Sequence, residues 1–311
     1  MSTLATVAAA SESIRTGSKS FAAASRLFDP RMRESAVMLY AWCRHCDDVI
    51  DDQQLGFRHA GQGADKASVR LDRLEAATRA ALAGKPTDEP AFAALQEVVR
   101  RHAIPEWQPL QHLAGFRMDV EGRRYETLAD MLDYAYHVAG IVGVMMAEIM
   151  GVREPAILDR ASDLGIAFQL TNIARDIVDD AGAGRVYLPS AWLAEAGIPP
   201  GDVADPRNRE ALAGLASRLV AEAEPYYASA AVGIRHLPPR AAWAVGAASR
   251  IYRAIGTEIT RLGPRAWDRR VSTSGLAKLG HVAAAGPAVL GRFSRDEQTS
   301  RARLYRRPRQ A

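Results

Sequence analysis

The sequence predicts an all-α protein folded as a single domain, and three observations carry that expectation. Apolar residues recur with helical periodicity along nearly the whole 311-residue chain. Alanine and leucine are abundant and β-branched runs scarce, with no alternating segment closed by a hairpin turn. Proline and glycine fall at intervals suited to helix connections: Asp29-Pro30, Gly84-Lys85-Pro86, Ile104-Pro105, Gly151 to Pro155, Ile198-Pro199-Pro200, Leu237-Pro238-Pro239 and Gly263-Pro264. Between these marks lie segments for a bundle of roughly eight or more helices. Pro225 sits inside the helical stretch from Glu210 to Ile234 and is expected to kink it. Segments 54–70 and 181–189 are polar and glycine-containing, and are expected as loops.

Hydrophobic residues make up 48% of the chain and charged residues 24%, enough apolar surface for a large core. The formal net charge of +4 is matched by residues 295–311 alone, which hold six arginines against Asp296 and Glu297. The expected organisation is therefore one neutral domain over 1–294 and a basic, disordered tail over 295–311. Such a tail can touch the inner face of a membrane, and nucleic acid is not expected as a partner. Cys43 and Cys46 are the only cysteines, so no disulfide framework is implied. The first residues lack a basic segment followed by a long apolar run, and the apolar stretch Val138 to Gly151 is short for a bilayer and contains Glu148. A cytoplasmic protein is expected.

Chemistry concentrates on two segments. In the first, MLYAWCRHCDDVIDD, helical spacing places Tyr40, Arg44, Asp47 and Asp51 on one stripe with Asp48 beside it. In the second, DLGIAFQLTNIARDIVDD, Gln169, Asn172, Asp176 and Asp180 form another stripe near Asp179, and most other positions are apolar. A helix apolar on most sides is buried, so its polar stripe must face something polar inside the protein. Both acidic motifs precede loops, at the helix end where the dipole disfavours carboxylates. Like charges about 6 Å apart at an effective dielectric near 20 repel by roughly 3 kcal/mol per pair. Salt bridges to Arg44 and Arg175 on a surface face would account for one such motif; two of matching D-x-x-x-D spacing on apolar helices point to divalent cations. Oxygen ligands favour several Mg²⁺ or Mn²⁺ ions, which leave room for water and phosphate. A diphosphate bridging the ions, with Arg44, Arg175, Arg185 and Lys19 adding positive charge, is the expected substrate group. Asn172 can serve as a neutral ligand or donor, and Gln169 can orient a neighbour.

A third segment, Tyr134 to Met146, sets Ala139, Gly140 and Gly143 among Val138, Val142, Met145 and Met146. Small residues leave room for a ligand or a neighbouring helix, and methionine adapts to flexible apolar shapes. Asp119 in GFRMDVEG supports either the site or the local structure. Cys43-Arg-His-Cys46 has no second ligand pair and reads as packing beside the acidic stripe. Gly84-Lys85-Pro86-Thr87 lacks the glycine spacing and strand of a phosphate-binding loop, and no nicotinamide fingerprint is present.

The runs GSKSF (17–21), YAWCRHCDDVIDD (40–52), YHVAGIVG (136–143) and FQLTNIARDIVDDAGAGRVYLP (168–189) resemble the head-to-head prenyl synthases, which include squalene, dehydrosqualene and phytoene synthases. The motifs span residues from about 15 to 270, and DDVIDDQQLGF, EPAFAALQEV, EAEPYY and AWDRR are most similar to bacterial phytoene synthases. The resemblance implies an isoprenoid synthase bundle with a central active-site cavity. It implies metal ligation by Asp47, Asp51, Asp176 and Asp180, with Asn172 beside them. Gly17, Ser18, Lys19, Ser20, Phe21, Tyr40, Arg44, Tyr134, Val138, Val142, Gln169, Arg175 and Tyr252 would meet diphosphate or prenyl chain, and Arg185 and Tyr187 would close over the leaving group. The implied reaction joins two geranylgeranyl diphosphates through cyclopropyl prephytoene diphosphate to phytoene, the first committed step of carotenoid synthesis. Tyr40 and Tyr252 would stabilise the cation, and ending in proton loss requires no NADPH. ATP stimulation, a trait of some relatives, stays open, as does oligomeric state. The alternatives are a squalene or dehydrosqualene synthase acting on farnesyl diphosphate, and a non-catalytic, membrane-associated helical scaffold.

Overall fold

The structure, a computed structural model, describes residues 25–50, 53–54, 57–58, 66–271, 280, 282, 284–285 and 299–309. Helix α1, Pro30–Ile50, begins at its marked proline; α2 spans Ala67–Leu82, α3, Pro90–His102, begins at a proline beyond the Gly84-Lys85-Pro86 mark, and α4, Trp107–Val120, follows Ile104-Pro105. Proline at the first helical position loses no hydrogen bond, because that N–H has no intrahelical partner. Helix α5, Leu128–Ala135, is started by a capping box in which Thr127 and Asp130 satisfy each other's backbone N–H groups. It continues through a π-helical turn, Tyr136–Gly140, into α6, Ile141–Ile149. Gly151, at φ +89°, turns the chain into the long α7, Pro155–Gly182. Short α8, Ser190–Glu195, leads by two 3₁₀ turns to α9, Arg209–Ile234, and α10, Pro239–Leu262, closes the described bundle.

Helix α9 is continuous through Pro225, where the missing N–H removes one backbone bond. One expectation needs correction. The expected loop 54–70 contains part of a two-residue antiparallel pairing, Gln53–Gln54 with Phe57–Arg58, and α2 already begins at Ala67. These dipeptides are the only strands among the described residues. No described helix is long and apolar enough to cross a membrane.

Helix α7 is the axis of the fold and packs against α6, α9, α10 and the π turn. Leu164, Ile166, Leu170, Ile173 and Ile177 are buried along it, as its apolar pattern requires. Its crossing with the π turn and α6 is close. A Cβ on Gly165 would run into the Ala139 backbone, and one on Gly143 into the Ala161 carbonyl. The small residues of the third segment thus admit a neighbouring helix.

The C-terminal segment differs from the expected disordered tail: residues 299–309 lie on the body. Arg301 makes a bidentate pair with Asp163 at 2.6 and 2.8 Å, and Asp163 also accepts from the Ser229 hydroxyl. Arg307 and Arg309 both reach Asp159 (2.6 and 2.8 Å), Tyr305 donates to Asp133, and Leu304 is buried. The Asp163 side chain is fully buried. A carboxylate so placed requires compensation, and the arginines that looked like free tail charge supply it. Burial pushes the Asp163 carboxyl up, against the opposing pull of Arg301 and Ser229.

Deleting residues 299–309 is expected to lower stability by about 3–5 kcal/mol at pH 8, since it leaves buried acids unpaired. The loss should shrink toward pH 5, because an acid whose folded pKa is raised sheds its burial cost as pH falls through that pKa. Urea unfolding of the full chain and the deletion at both pH values tests this; equal stability at pH 8 would refute it.

Candidate active site

The bundle encloses a cavity of about 910 Å³, at the upper end of the size range for small-molecule sites. Its mouth is polar. Tyr40, Arg44 and Asp47 reach it from the C-terminal half of α1, and Gln169, Asn172, Arg175, Asp176 and Asp180 from the corresponding part of α7. Arg185 and Tyr187 enter from the loop after α7, Tyr134 from α5 and Tyr252 from α10. Val138 and Val142 line the apolar body with Ala139, Gly143, Met146 and Phe168. Every sequence-predicted site residue within the described part therefore faces one cavity. Asp51 and the run Gly17, Ser18, Lys19, Ser20 and Phe21 lie outside the described residues.

The acids at the mouth are held by arginines. Arg44 donates to Asp47 at 2.9 Å and to Asp48 at 2.7 Å. Arg175 grips Asp176 with Nε and Nη2, and Arg270, beyond the 3₁₀ turn Gly263–Trp267 that follows α10, donates to the same carboxylate at 3.1 Å. Burial and the charge of Asp176 push Asp180 up to about 7, against the pull of Arg185. Burial also keeps Tyr40 protonated, at about 12, and raises Tyr252. The Tyr252 ring stacks on Phe168 with centroids 4.2 Å apart.

The donor set fits divalent ions of the kind the resemblance implies. Asn172 Nδ2 donates to Gln169 Oε1 at 3.4 Å, while its Oδ1 is buried without a hydrogen-bond partner, an acceptor suited to a cation. Among the described residues no three acidic, histidine or cysteine side chains already cluster as a ligand set. Mg²⁺ is commonly held by one or two carboxylates plus substrate phosphates, and this open arrangement suits that mode. Cys43 and Cys46 are free thiols on the α1 face beside the stripe, with burial raising Cys43 to about 12. Cys46 is buried in the core, whereas Cys43 also lines the cavity.

Asp119, whose role the sequence left open, is the hub of a tyrosine cluster. Its Oδ2 accepts from Tyr134 at 3.0 Å and its Oδ1 from Tyr187 at 3.1 Å, and the two rings stack with centroids 4.8 Å apart. One carboxylate thus ties α4, α5 and the loop after α7 together at the cavity wall. Arg270 was missed as a site residue, although it lies in the AWDRR run; proximity to Asp176 depends on how α10 returns, which spacing does not reveal.

A helical bundle with acidic stripes at the polar mouth of an apolar cavity is the arrangement that the resemblance to the head-to-head prenyl synthases implies. Comparison with known proteins tests the resemblance. The squalene/phytoene synthase family model matches residues 14–277, and the chain belongs to that family. It is 56% identical over 296 residues to the 15-cis-phytoene synthase of Enterobacter agglomerans, covering 95% of this chain and all of the relative. Identity to the 15-cis-phytoene synthase of Pantoea ananas is 54% over 96% of both chains. Among solved structures, a dehydrosqualene synthase in complex with ligand superposes with a TM-score of 0.82 at 26% identity, covering 93% of this chain and 98% of that one. The fold is accordingly the all-α isoprenoid synthase bundle.

Asp119→Asn is expected to lower kcat about tenfold while changing unfolding free energy by less than about 1 kcal/mol, since an amide still bonds both phenols but reverses one donor. Asp119→Ala should cost roughly 1–3 kcal/mol as well, by leaving two buried hydroxyls without acceptors. Urea titration beside steady-state diphosphate release measures both; wild-type turnover in Asp119→Asn would show that the cluster is structural only.

Proposed function

We propose that this protein is a phytoene synthase that joins two geranylgeranyl diphosphates head to head, the entry step of carotenoid synthesis. The observation that carries the reading is the polar mouth set on a large apolar cavity, in a chain more than half identical to curated 15-cis-phytoene synthases along their length. The C1–O bond of one substrate breaks and diphosphate leaves with the bonding electrons. The C2–C3 double bond of the second substrate attacks the resulting allylic cation, and loss of a proton closes the cyclopropane of prephytoene diphosphate. The remaining C–O bond then breaks, the skeleton rearranges, and a second proton loss gives phytoene.

Asp47, Asp176, Asp180 and Asn172, with Asp51, are the residues that would hold Mg²⁺ or Mn²⁺, which when bound supplies Lewis acidity toward the departing diphosphate. Arg44, Arg175 and Arg270, freed from their acids as cations arrive, are placed to take the phosphate oxygens. Tyr40, Phe168 and Tyr252 line the wall with rings whose faces attract positive charge. The apolar remainder keeps water from the cation. Proton loss ends the sequence without a reductant, so no NADPH is needed. Arg303 and Arg306, exposed on the C-terminal segment, are the tail charges left for a membrane surface.

Purified protein with Mg²⁺ or Mn²⁺ and geranylgeranyl diphosphate should release diphosphate and a forty-carbon hydrocarbon, and should favour that substrate over farnesyl diphosphate in competition. Chelation should abolish turnover, and Asp176→Asn should lower kcat by roughly 10²–10³-fold or more with the fold retained. A thirty-carbon product in the competition would move the assignment to a squalene-type synthase; no product from either substrate would sink it.

A further inference from the structure

We propose that His112 is a positioning residue that holds the π turn of the cavity wall in register, so that one helical wall follows the prenyl chain along the cavity. The inference rests on the prenyl diphosphate reading above and adds a residue to it. Tyr134, Val138, Val142, Met146 and Met150 all line the cavity, at every fourth position through α5, the π turn, α6 and its cap. In an unbroken α-helix each such step drifts by about 40°, so Tyr134 and Met150, sixteen positions apart, would point about 160° from one another. The π turn takes up one extra residue and returns about 100° of that drift. The stripe then stays within about 60° and can serve as a single wall.

The turn leaves a gap in the backbone ladder, and His112 fills it. The Ile141 N–H bonds to the Tyr136 carbonyl, five positions back. It is thereby diverted from the His137 carbonyl, its partner in an α-helix. The His112 ring on α4 reaches that carbonyl through Nδ1 at 3.3 Å. A carbonyl only accepts, so Nδ1 carries the proton. Burial pushes His112 down to about 4, which leaves the ring neutral with a single N–H to give. Nε2 is then a bare acceptor, buried without a partner. Such an acceptor is unfavourable, and a phenyl ring between Trp42 and Phe116, whose centroids lie 5.5 and 5.0 Å from that of His112, would avoid it. What the histidine adds is the Nδ1–H. Helix α4 is seated on the same turn at Gly115, where a Cβ would come within 2.6 Å of Val138 Cγ1 and 3.2 Å of the Val138 nitrogen. His112 and Val138, which both line the cavity, are thus fixed relative to each other.

The test separates the hydrogen bond from the volume of the ring. Asparagine carries its amide nitrogen where histidine carries Nδ1, whereas phenylalanine keeps the ring and loses the donor. The full-length protein is titrated with a non-ionisable thiolodiphosphate analogue of twenty carbons in the presence of Mg²⁺. His112→Asn should bind it within about threefold of wild type and His112→Phe about tenfold more weakly, the scale of one buried hydrogen bond. Turnover of geranylgeranyl diphosphate should fall in the same order. Heteronuclear NMR of wild type labelled in its histidine nitrogens should show His112, assigned by the signal each variant lacks, as the Nδ1–H tautomer. A role in packing alone would be kept by His112→Phe and lost by His112→Asn. The Nε2–H tautomer, or any order of affinities other than His112→Asn above His112→Phe, overturns the proposal. The tautomer is read on wild type, so it decides the matter if a variant does not fold. Failure of the enzymatic reading shows differently, as wild type that binds the analogue yet releases no hydrocarbon, with the tautomer and the order of affinities unaffected.

Discussion

The structure depends on burying a charged helix. Helix α7 passes through the middle of the bundle with acidic residues at both ends, Asp159 and Asp163 at one and Asp176 and Asp180 at the other. A buried carboxylate without a partner costs several kcal/mol, so each end needs its own compensation. At the first end Arg301 and Arg307 arrive from the far end of the chain and form short, largely buried pairs, and the exposed Arg309 adds a third contact. At the other, Arg175 and Arg270 hold Asp176, while Asp180 is left with its carboxyl pushed up to about 7. The first arrangement is saturated and therefore structural. The second is incomplete, and an incomplete set of buried charges can accept ligands.

Between the two ends α7 presents an apolar face to the cavity, and the geometry of its neighbours keeps that space open. The π turn inserts an extra residue between α5 and α6 and resets which side chains point inward, as such turns often do near functional sites. Gly143 and Gly165 then let the backbones of α6 and α7 touch. The same close contact that makes the wall thin also makes it rigid, because no side chain there can repack. At the mouth Tyr134 and Tyr187 are locked by Asp119, and elsewhere along the wall Arg160 is held by Ser229 and Thr299.

Much of this was legible in the sequence, and for local reasons. Helix starts were marked by prolines whose missing N–H is harmless at that position. The facing stripes of α1 and α7 followed from 3.6-residue periodicity, and the cavity gathers the members of both stripes that are described. What escaped shares a different property: it depends on partners remote in sequence. Arg270 reaches Asp176 across 94 positions and Arg301 reaches Asp163 across 138, and no periodicity encodes either distance. The tail was read as disordered because six arginines in seventeen residues look solvated until their partners are known. Asp133, Asp159 and Asp163 could have raised the question, since three acids in otherwise apolar segments need cations from somewhere.

That pairing also explains why a neutral body and a basic tail were a misleading division. Charge counted along the chain treats each segment as if it met only water, but Asp163 meets Arg301 and Ser229 and no solvent. The ends of α7 are balanced by residues that arrive last, so the central helix reaches its native electrostatics only when the C-terminal segment has docked. The Thr299 carbonyl then accepts from Arg160, one of the residues that line the cavity. The C-terminal segment is therefore part of the bundle: its arginines neutralise the buried acids of α7, and its Thr299 carbonyl holds a residue of the cavity wall.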